Sequence, residues 1–344
     1  MRSNPHTTDK LKKITAVLRG AKNLLIVLQN HPDPDAVASG MGIRRIANSL
    51  GVSCSIAHGG MIGRAENRAL VEYLDLNLRR IDEMNLGQFD RVALVDTQPA
   101  TGNNDWPERL EPDIVIDHHP IQRASRSVAF TDIRSRYGAT ATIVTEYLRA
   151  SHIVPEPPLA TALLYGIVSD TQDLGREARR PDFEAHLWLS ERANLKMLAD
   201  IRYSPLAPDY FNLLHHALEN ARRYGNALIS SITTRHNPDM VGEVADLLVR
   251  REGIRYCLCI ADHGDRFLLS MRSRNTDEDM GVLMRNVVKG LGGGGGHHTF
   301  AGAQILSAGK SDAQKKKMLA TIRRRLLDEL GLEGKRGARI VGGE

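Results

Sequence analysis

The stretch Leu24-Leu-Ile-Val-Leu-Gln-Asn-His-Pro-Asp-Pro-Asp-Ala-Val-Ala-Ser39 decides how the first half of the chain is read. Leu24 to Leu28 is an unbroken apolar run, the pattern of a strand buried on both faces. Ala36 to Leu50 then places apolar residues at helical spacing and stops at Gly51. Between the two, Pro32 and Pro34 stiffen a turn that brings Asp33 and Asp35 to the strand end. Outward from this stretch the pattern recurs. Val92 to Val95 and Ile114 to Ile116 are short apolar strands, each running directly into a carboxylate, Asp96 and Asp117. Two helical stretches follow, Gly138 to Ala150 and Pro158 to Ser169, the second meeting Asp170. Strands alternating with helices predict an α/β fold, a mostly parallel sheet with helices on both faces. Ligands of such sheets bind beyond the carboxyl ends of the strands, where these acids fall.

From about Pro181 to Asn226 the pattern is helical and charged, broken at Pro205 and Pro208, and reads as a helical connector. Strands return at Ala227 to Thr234, Tyr256 to Ala261 and Arg266 to Arg272. A helix near Met280 to Lys289, a glycine run, a strand at Ala303 to Leu306 and a closing helix from Asp312 to Leu330 follow. The expected organisation is a first domain over 1–190, a connector over 191–226, a smaller α/β domain over 227–331 and a frayed basic tail over 332–344. A chain of 344 residues can give each domain its own core, and two domains imply a cleft.

The composition, 42% hydrophobic and 25% charged, is that of a soluble globular protein. No apolar run reaches the ~18 residues of a membrane span, and residues 1–23 lack the apolar core of a signal peptide, so a cytoplasmic protein with no membrane partner is expected. Cys54, Cys257 and Cys259 form no even disulfide set; Cys257 and Cys259 read as buried thiols on one strand face. The formal charge of +5 suits an anionic substrate. The run Lys315, Lys316, Lys317, Arg323, Arg324 and Arg325 reads first as a solvated helix face, with a nucleic-acid patch as the alternative. Aromatic residues make up only 5% of the chain, which favours a short substrate over a long stacked strand.

The chemistry is carried by His31-Pro-Asp33-Pro-Asp35, Asp96, Asp117-His118-His119 and Asp170. Each acid alone could be a helix N-cap. Together, acids converging at strand ends would repel one another without a cation. Carboxylates with one or two imidazoles suit Mn²⁺ or Mg²⁺, and also Fe²⁺, better than a sulfur-ligated zinc site. Two such ions about 3.5–4 Å apart can serve an in-line phosphoryl displacement, which makes phosphoester hydrolysis the expected reaction.

The segments Asn30 to Ser39, Val95-Asp-Thr97, Asp117-His-His119 and Gly166-Ile-Val-Ser-Asp-Thr171 resemble, in order, the four motifs of the DHH phosphoesterase superfamily. Gly292-Gly-Gly-Gly-Gly-His297-His-Thr-Phe-Ala-Gly302 resembles the glycine-histidine motif of the DHHA1 domain that accompanies it. Ser270-Met-Arg272-Ser273 resembles the strand that supplies that domain's phosphate-binding arginine. The resemblance spans roughly residues 20 to 330, and domain order and length are most similar to the nanoRNase and pAp-phosphatase group.

The resemblance implies roles. Asp33 would bind a first Mn²⁺, Asp35 and His118 a second, Asp96 would bridge the two, and Asp170 would bind directly or support a ligand. His119 would protonate the leaving oxygen and Asp117 orient an imidazole. Arg272, Gly294, Gly295, Gly296 and His297 would hold the distal phosphate or base of a short oligonucleotide or nucleotide such as nanoRNA, pAp or a dinucleotide. Pyrophosphate or polyphosphate hydrolysis and a non-hydrolysing nucleotide-binding protein are the alternatives, and a homodimer is an option. One departure stands out: where the superfamily carries a metal-binding histidine, four residues before Asp33, this chain has Gln29. In an extended segment His31 and Asp33 would point the same way, so His31 could fill that place or hydrogen-bond a neighbouring carboxylate.

Overall fold

The computed structural model describes residues 5–234, 237–275, 277–296 and 299–342. The chain divides into two compact units, residues 1–204 and 205–344, so the segment read as the connector is shared between them.

The first unit is built on six strands: β1 (Asn23–Val27), β2 (Ser53–His58), β3 (Leu78–Arg80), β4 (Arg91–Val95), β5 (Ile114–Asp117) and β6 (Phe130–Ile133). All neighbours pair in parallel, in the order β3-β2-β1-β4-β5-β6. The chain winds outward one way from β1 and the other way from β4, so the order reverses between these two strands. A crevice at that reversal is where open α/β sheets bind ligands.

Among the described residues this unit holds the α-helices α1 (Pro5–Leu18), α2 (Pro34–Ser49), α3 (Ala65–Tyr73), α4 (Thr140–Ala150), α5 (Pro157–Asp170), α6 (Arg180–Ser190) and α7 (Leu195–Arg202). Helical segments cover both faces, but unequally. The face carrying Leu24, Ile26, Leu28, Ala93, Val95, Ile114 and Ile116 is packed by α-helices through Ile43, Ile46, Ile143, Val144 and Leu163. The other face, with Leu25, Val27, Leu94 and Val115, is closed by short 3₁₀ turns at Ile81–Glu83 and Leu86–Gln88 and by Trp106. Alternate residues of β1 therefore enter two different cores, and burying each Leu or Val contributes about 1.5–3 kcal/mol.

The second unit contains α8 (Pro208–Asn220), β7 (Arg222–Tyr224), β8 (Ala227–Thr233), α9 (Met240–Leu248), β9 (Tyr256–Asp262), β10 (Arg266–Ser273), α10 (Met280–Val288), β11 (Gly293–Gly296), β12 (Phe300–Leu306), α11 (Asp312–Glu329) and β13 (Ala338–Arg339). Its seven strands follow the order β11-β12-β10-β9-β8-β7-β13, antiparallel except for β8 with β9. Helices α10 and α11 pack on one face, α8 and α9 on the other. The glycine run forms the edge strand β11. One expectation changes here. The tail is not frayed throughout: Ala338 and Arg339 pair with β7, and Ile340 packs against the α8 and α9 core. Cys257 and Cys259 are buried free thiols in that core. Among the described residues no helix is long and apolar enough to cross a membrane.

Candidate metal centre

Strands β1, β4 and β5 lie side by side, so residues just past their ends converge. Asp33 caps α2, its Oδ1 accepting from the Ala36 N–H at 2.9 Å. Asp35, in the first turn of α2, is fully buried. Its two oxygens accept from the backbone N–H groups of Thr140 and Ala141, both at 2.7 Å. These N–H groups open α4, where the helix dipole favours a negative charge. The Thr140 hydroxyl donates to Asp96 Oδ1 at 2.9 Å, so one residue holds two buried carboxylates. Asp96 itself has φ +60°, a left-handed conformation that turns its side chain out of the sheet. Gly166 of α5 lies against Asp35; a Cβ there would come within 3.1 Å of the Asp35 Cα.

His118 completes the group. Its Nδ1 meets the Tyr137 carbonyl at 3.3 Å, an arrangement that puts a proton on Nδ1 and directs Nε2 toward the acids. Nε2 lies 3.3 Å from Asp170, 3.7 Å from Asp96 and 4.0 Å from Asp35, yet it is buried without a well-formed hydrogen bond. His119 is held by Asp117, whose Oδ1 lies 2.8 Å from His119 Nδ1. Asp117 Oδ2 in turn accepts from Gln98 at 2.6 Å, and Gln98 is anchored by the Gln122 N–H and the Ser125 hydroxyl.

Electrostatics set this group apart from an ordinary acid cluster. Burial and the neighbouring Asp170 push Asp33 up to about 6 and Asp35 up to about 7. Burial and Asp35 raise Asp96 well above the usual carboxylate range. For His118, burial opposes the charged ring, but Asp170 and Asp35 outweigh it and push the imidazole up to about 10. Burial also acts against ionised Asp117, whereas its bond with His119 holds it below the ordinary value. Paired carboxylates driven upward beside an imidazole with an orphaned nitrogen form a donor set suited to a cation. Oxygen-rich with one or two imidazoles, it fits a hard divalent ion. Among the described residues three clusters have ligand atoms within 4.8 Å of one another: Asp35, His118 and Asp170, and Asp96, His118 and His119 in this group, and the exposed His215, His216 and Glu219 in the second unit.

His31 is not brought into this group. Its φ is +56°, so the extended geometry that would align it with Asp33 does not occur. The exposed ring turns toward residues 59–61, with Nδ1 3.1 Å from the Met61 carbonyl. Gln29 enters instead, its amide donating to Asp33 Oδ2 at 2.8 Å and reaching Asp96 Oδ2 at 3.4 Å. Sequence reasoning missed Thr140 and Ala141, because backbone N–H groups leave no residue signature. It also missed Asp182, a buried carboxylate that accepts from the Gly138 N–H and the Thr142 hydroxyl and so holds the start of α4.

In the second unit Arg272 forks onto Asp246 of α9, contacts the Ser270 hydroxyl and lies over Phe300. Gly294, Gly295 and Gly296 form the edge strand β11. Gly296 lies so close to α10 that a Cβ on Gly281 would sit 2.6 Å from the Gly296 carbonyl oxygen, which requires glycine at 281. His297 lies outside the described residues.

Comparison with known proteins agrees with this geometry. Residues 23–167 match the model of the DHH family N-terminal domain, and residues 225–327 match that of the DHHA1 domain. Over 316 residues the chain is 33% identical to Uncharacterized protein MJ1633 of Methanocaldococcus jannaschii, covering 90% of this chain and 64% of that protein. It is 23% identical over 147 residues to a probable manganese-dependent inorganic pyrophosphatase of Listeria innocua, covering 43% of this chain and 47% of that one. The chain thus spans less than two thirds of either relative. An exopolyphosphatase-related protein from Bacteroides fragilis shares the fold, with a TM-score of 0.76 at 14% identity over 94% of this chain and 97% of that one. With both domains matched in order along its length, the chain belongs to the DHH phosphoesterase superfamily.

Proposed function

We propose that the chain is a divalent-metal-dependent phosphoesterase that hydrolyses short oligonucleotides or small nucleotides: nanoRNA, pAp, or a linear or cyclic dinucleotide. The observation that carries this reading is the buried, orphaned Nε2 of His118 facing the carboxylates of Asp35, Asp96 and Asp170. Asp33 would hold one ion, Asp35 and His118 a second, with Asp96 serving both and Asp170 at the rim. Mn²⁺ is the proposed ion, with Mg²⁺ and Fe²⁺ as the other hard ions the donors suit. When bound, such ions supply neutralisation of phosphate charge and activation of a water.

The chain's own residues do the rest. Thr140 and the α4 N–H groups fix the carboxylates so that they need not reorganise. Asp117 holds His119 by Nδ1, which leaves Nε2 as the ring nitrogen that can deliver a proton to a leaving oxygen. Arg272 would exchange Asp246 for a substrate phosphate, one anionic partner for another, and His297 and the β11 glycines are proposed to contact the same substrate. Similarity to a manganese-dependent inorganic pyrophosphatase supports a second reading, hydrolysis of pyrophosphate or polyphosphate.

A substrate panel with Mn²⁺ separates the readings: a dinucleotide, a cyclic dinucleotide, pAp, pyrophosphate and polyphosphate. Turnover of one of the first three is expected. Turnover of pyrophosphate or polyphosphate alone would replace the first reading with the second. No product from any of them would overturn both.

A further inference from the structure

The positive charge of this chain is not spread evenly. Residues 1–204 carry 25 basic and 25 acidic side chains, and residues 205–344 carry 21 and 16, so the whole excess of +5 belongs to the second unit. Part of it lines a groove. Between α11 and the end of α8, over Ser231 and Ile260 of the sheet, lies a cavity of about 480 Å³ adjoining another of about 220 Å³; both share Asn220, Lys316 and Leu319.

This groove is distinct from the Arg272 site. Phe267, Leu269 and Met271 of β10 enter the core beneath α10 and α11, whereas Leu268 enters the core beneath α8 and α9. Side chains alternate along a strand, so Arg272 projects from the Leu268 face and the groove lies on the other.

The larger cavity is lined by Asp262, Asp312, Lys315 and Lys316, and the smaller by the cations Lys316, Arg222 and Arg323, with Arg339 beside Arg222. Lys316 and Arg323 of α11 are two helical turns apart, about 10.5 Å along the axis. Arg222 lines the smaller cavity, and Arg339 of β13 is its direct partner across the antiparallel pair. Directly opposed residues share a face, and like charges placed so repel. Arg222 donates to the carbonyls of Glu219 at 2.8 Å and Ala221 at 2.9 Å, which are neutral acceptors. Among the described residues none of these four cations is paired with a carboxylate, whereas Lys315 at the far end is bound to Asp262 at 2.9 Å. Ile229 and Ile260, 5% and 2% exposed, form the floor, and Leu319 lines both cavities. Repeated unpaired cations along a groove match an anion whose charges repeat along a line.

We propose that this groove binds a linear phosphate polyanion, either a nucleic-acid single strand or an inorganic polyphosphate chain, through Arg222, Lys316, Arg323 and Arg339. Binding here is independent of hydrolysis at the carboxylate site.

The test is fluorescence anisotropy of the full chain with a short labelled single-stranded RNA, without added divalent ions. Unlabelled RNA, inorganic polyphosphate and polyglutamate serve as competitors. Arg222→Glu/Arg323→Glu is expected to weaken binding by about tenfold or more and to lower the slope of log affinity against log salt by about 1.4, or 0.7 per lost phosphate contact. Lys317→Glu/Arg324→Glu reverses the same charge on α11 residues that line neither cavity, and should change affinity by less than about threefold. Should the first pair fail to fold by circular dichroism, Lys316→Gln/Arg339→Gln replaces it, with a smaller loss of the same sign. Competition by RNA alone assigns a nucleic-acid strand, competition by polyphosphate alone assigns polyphosphate, and competition by both supports the shared chemistry. Equal losses in the lining and non-lining pairs, or competition by polyglutamate as strong as by RNA, would overturn the proposal.

Discussion

The first unit, neutral overall, gathers acids at one buried site, whereas the second carries the whole net positive charge, and the two use different devices to hold these groups. In the first, Asp33, Asp35 and Asp96 are held by backbone N–H groups and one hydroxyl at helix starts, so the acids are fixed before any ligand arrives. In the second, Arg272 is held by a carboxylate that a phosphate could replace, and Arg222 and Arg339 stand opposed without one. A site for a small hard cation needs fixed donors at short range, because its field falls steeply with displacement. A site for a phosphate can use long side chains whose partner is exchanged on binding.

The sharpest way to break this contrast is Asp96→Ala. If Asp96 serves both metal positions, turnover should fall by roughly 10²–10³-fold or more, with metal content by elemental analysis falling alongside. Near-normal activity with near-normal metal would end the bridging assignment. Next in size is Arg272→Ala, expected to raise KM about tenfold or more while metal content stays at the wild-type level. Loss of metal in that variant would make the two units one site, against the contrast drawn here.

A third effect follows from the raised acids. Asp33 and Asp35 have folded values of about 6 and 7, above their ordinary value, so the metal-free protein binds more protons folded than unfolded. Their contribution to stability is complete below about pH 4 and is lost as pH rises through 6 and 7. His118, raised to about 10, adds a loss of the same sign between about pH 6.5 and 10. The Tm of the chelated protein should therefore drop between pH 5 and 8, and Mn²⁺ should raise Tm more at pH 8 than at pH 5. A metal-free Tm that rose over that range would show the cluster is not under repulsive strain. The smallest effects concern Gln29 and His31. Calorimetric titration should find Mn²⁺ affinity unchanged in His31→Ala, because that ring bonds the Met61 carbonyl, and increased in Gln29→His.

Much of the first site is legible in sequence because its acids follow strands that are themselves unmistakable. Leu24 to Leu28, Val92 to Val95 and Ile114 to Ile116 are apolar without interruption, and each leads to a residue of the group. Strands β2, β3 and β6 passed unnoticed: Ser53–His58 alternates polar and apolar residues weakly, and Leu78–Arg80 and Phe130–Ile133 are too short to have a clear period. The backbone donors of α4 and the turn that swings His31 away depend on φ angles and on which helix start faces which strand, and neither is written in residue types. In the second unit the basic run of α11 was visible, but only strand pairing showed that Arg339 stands beside Arg222.

The central claim is that buried acids and His118 hold divalent ions that make this chain a phosphoesterase. The most direct test is the initial rate of dinucleotide hydrolysis against free Mn²⁺, starting from exhaustively chelated protein. No product without metal and a saturable rise as Mn²⁺ is restored is the expected result. Turnover undiminished after chelation would contradict the account.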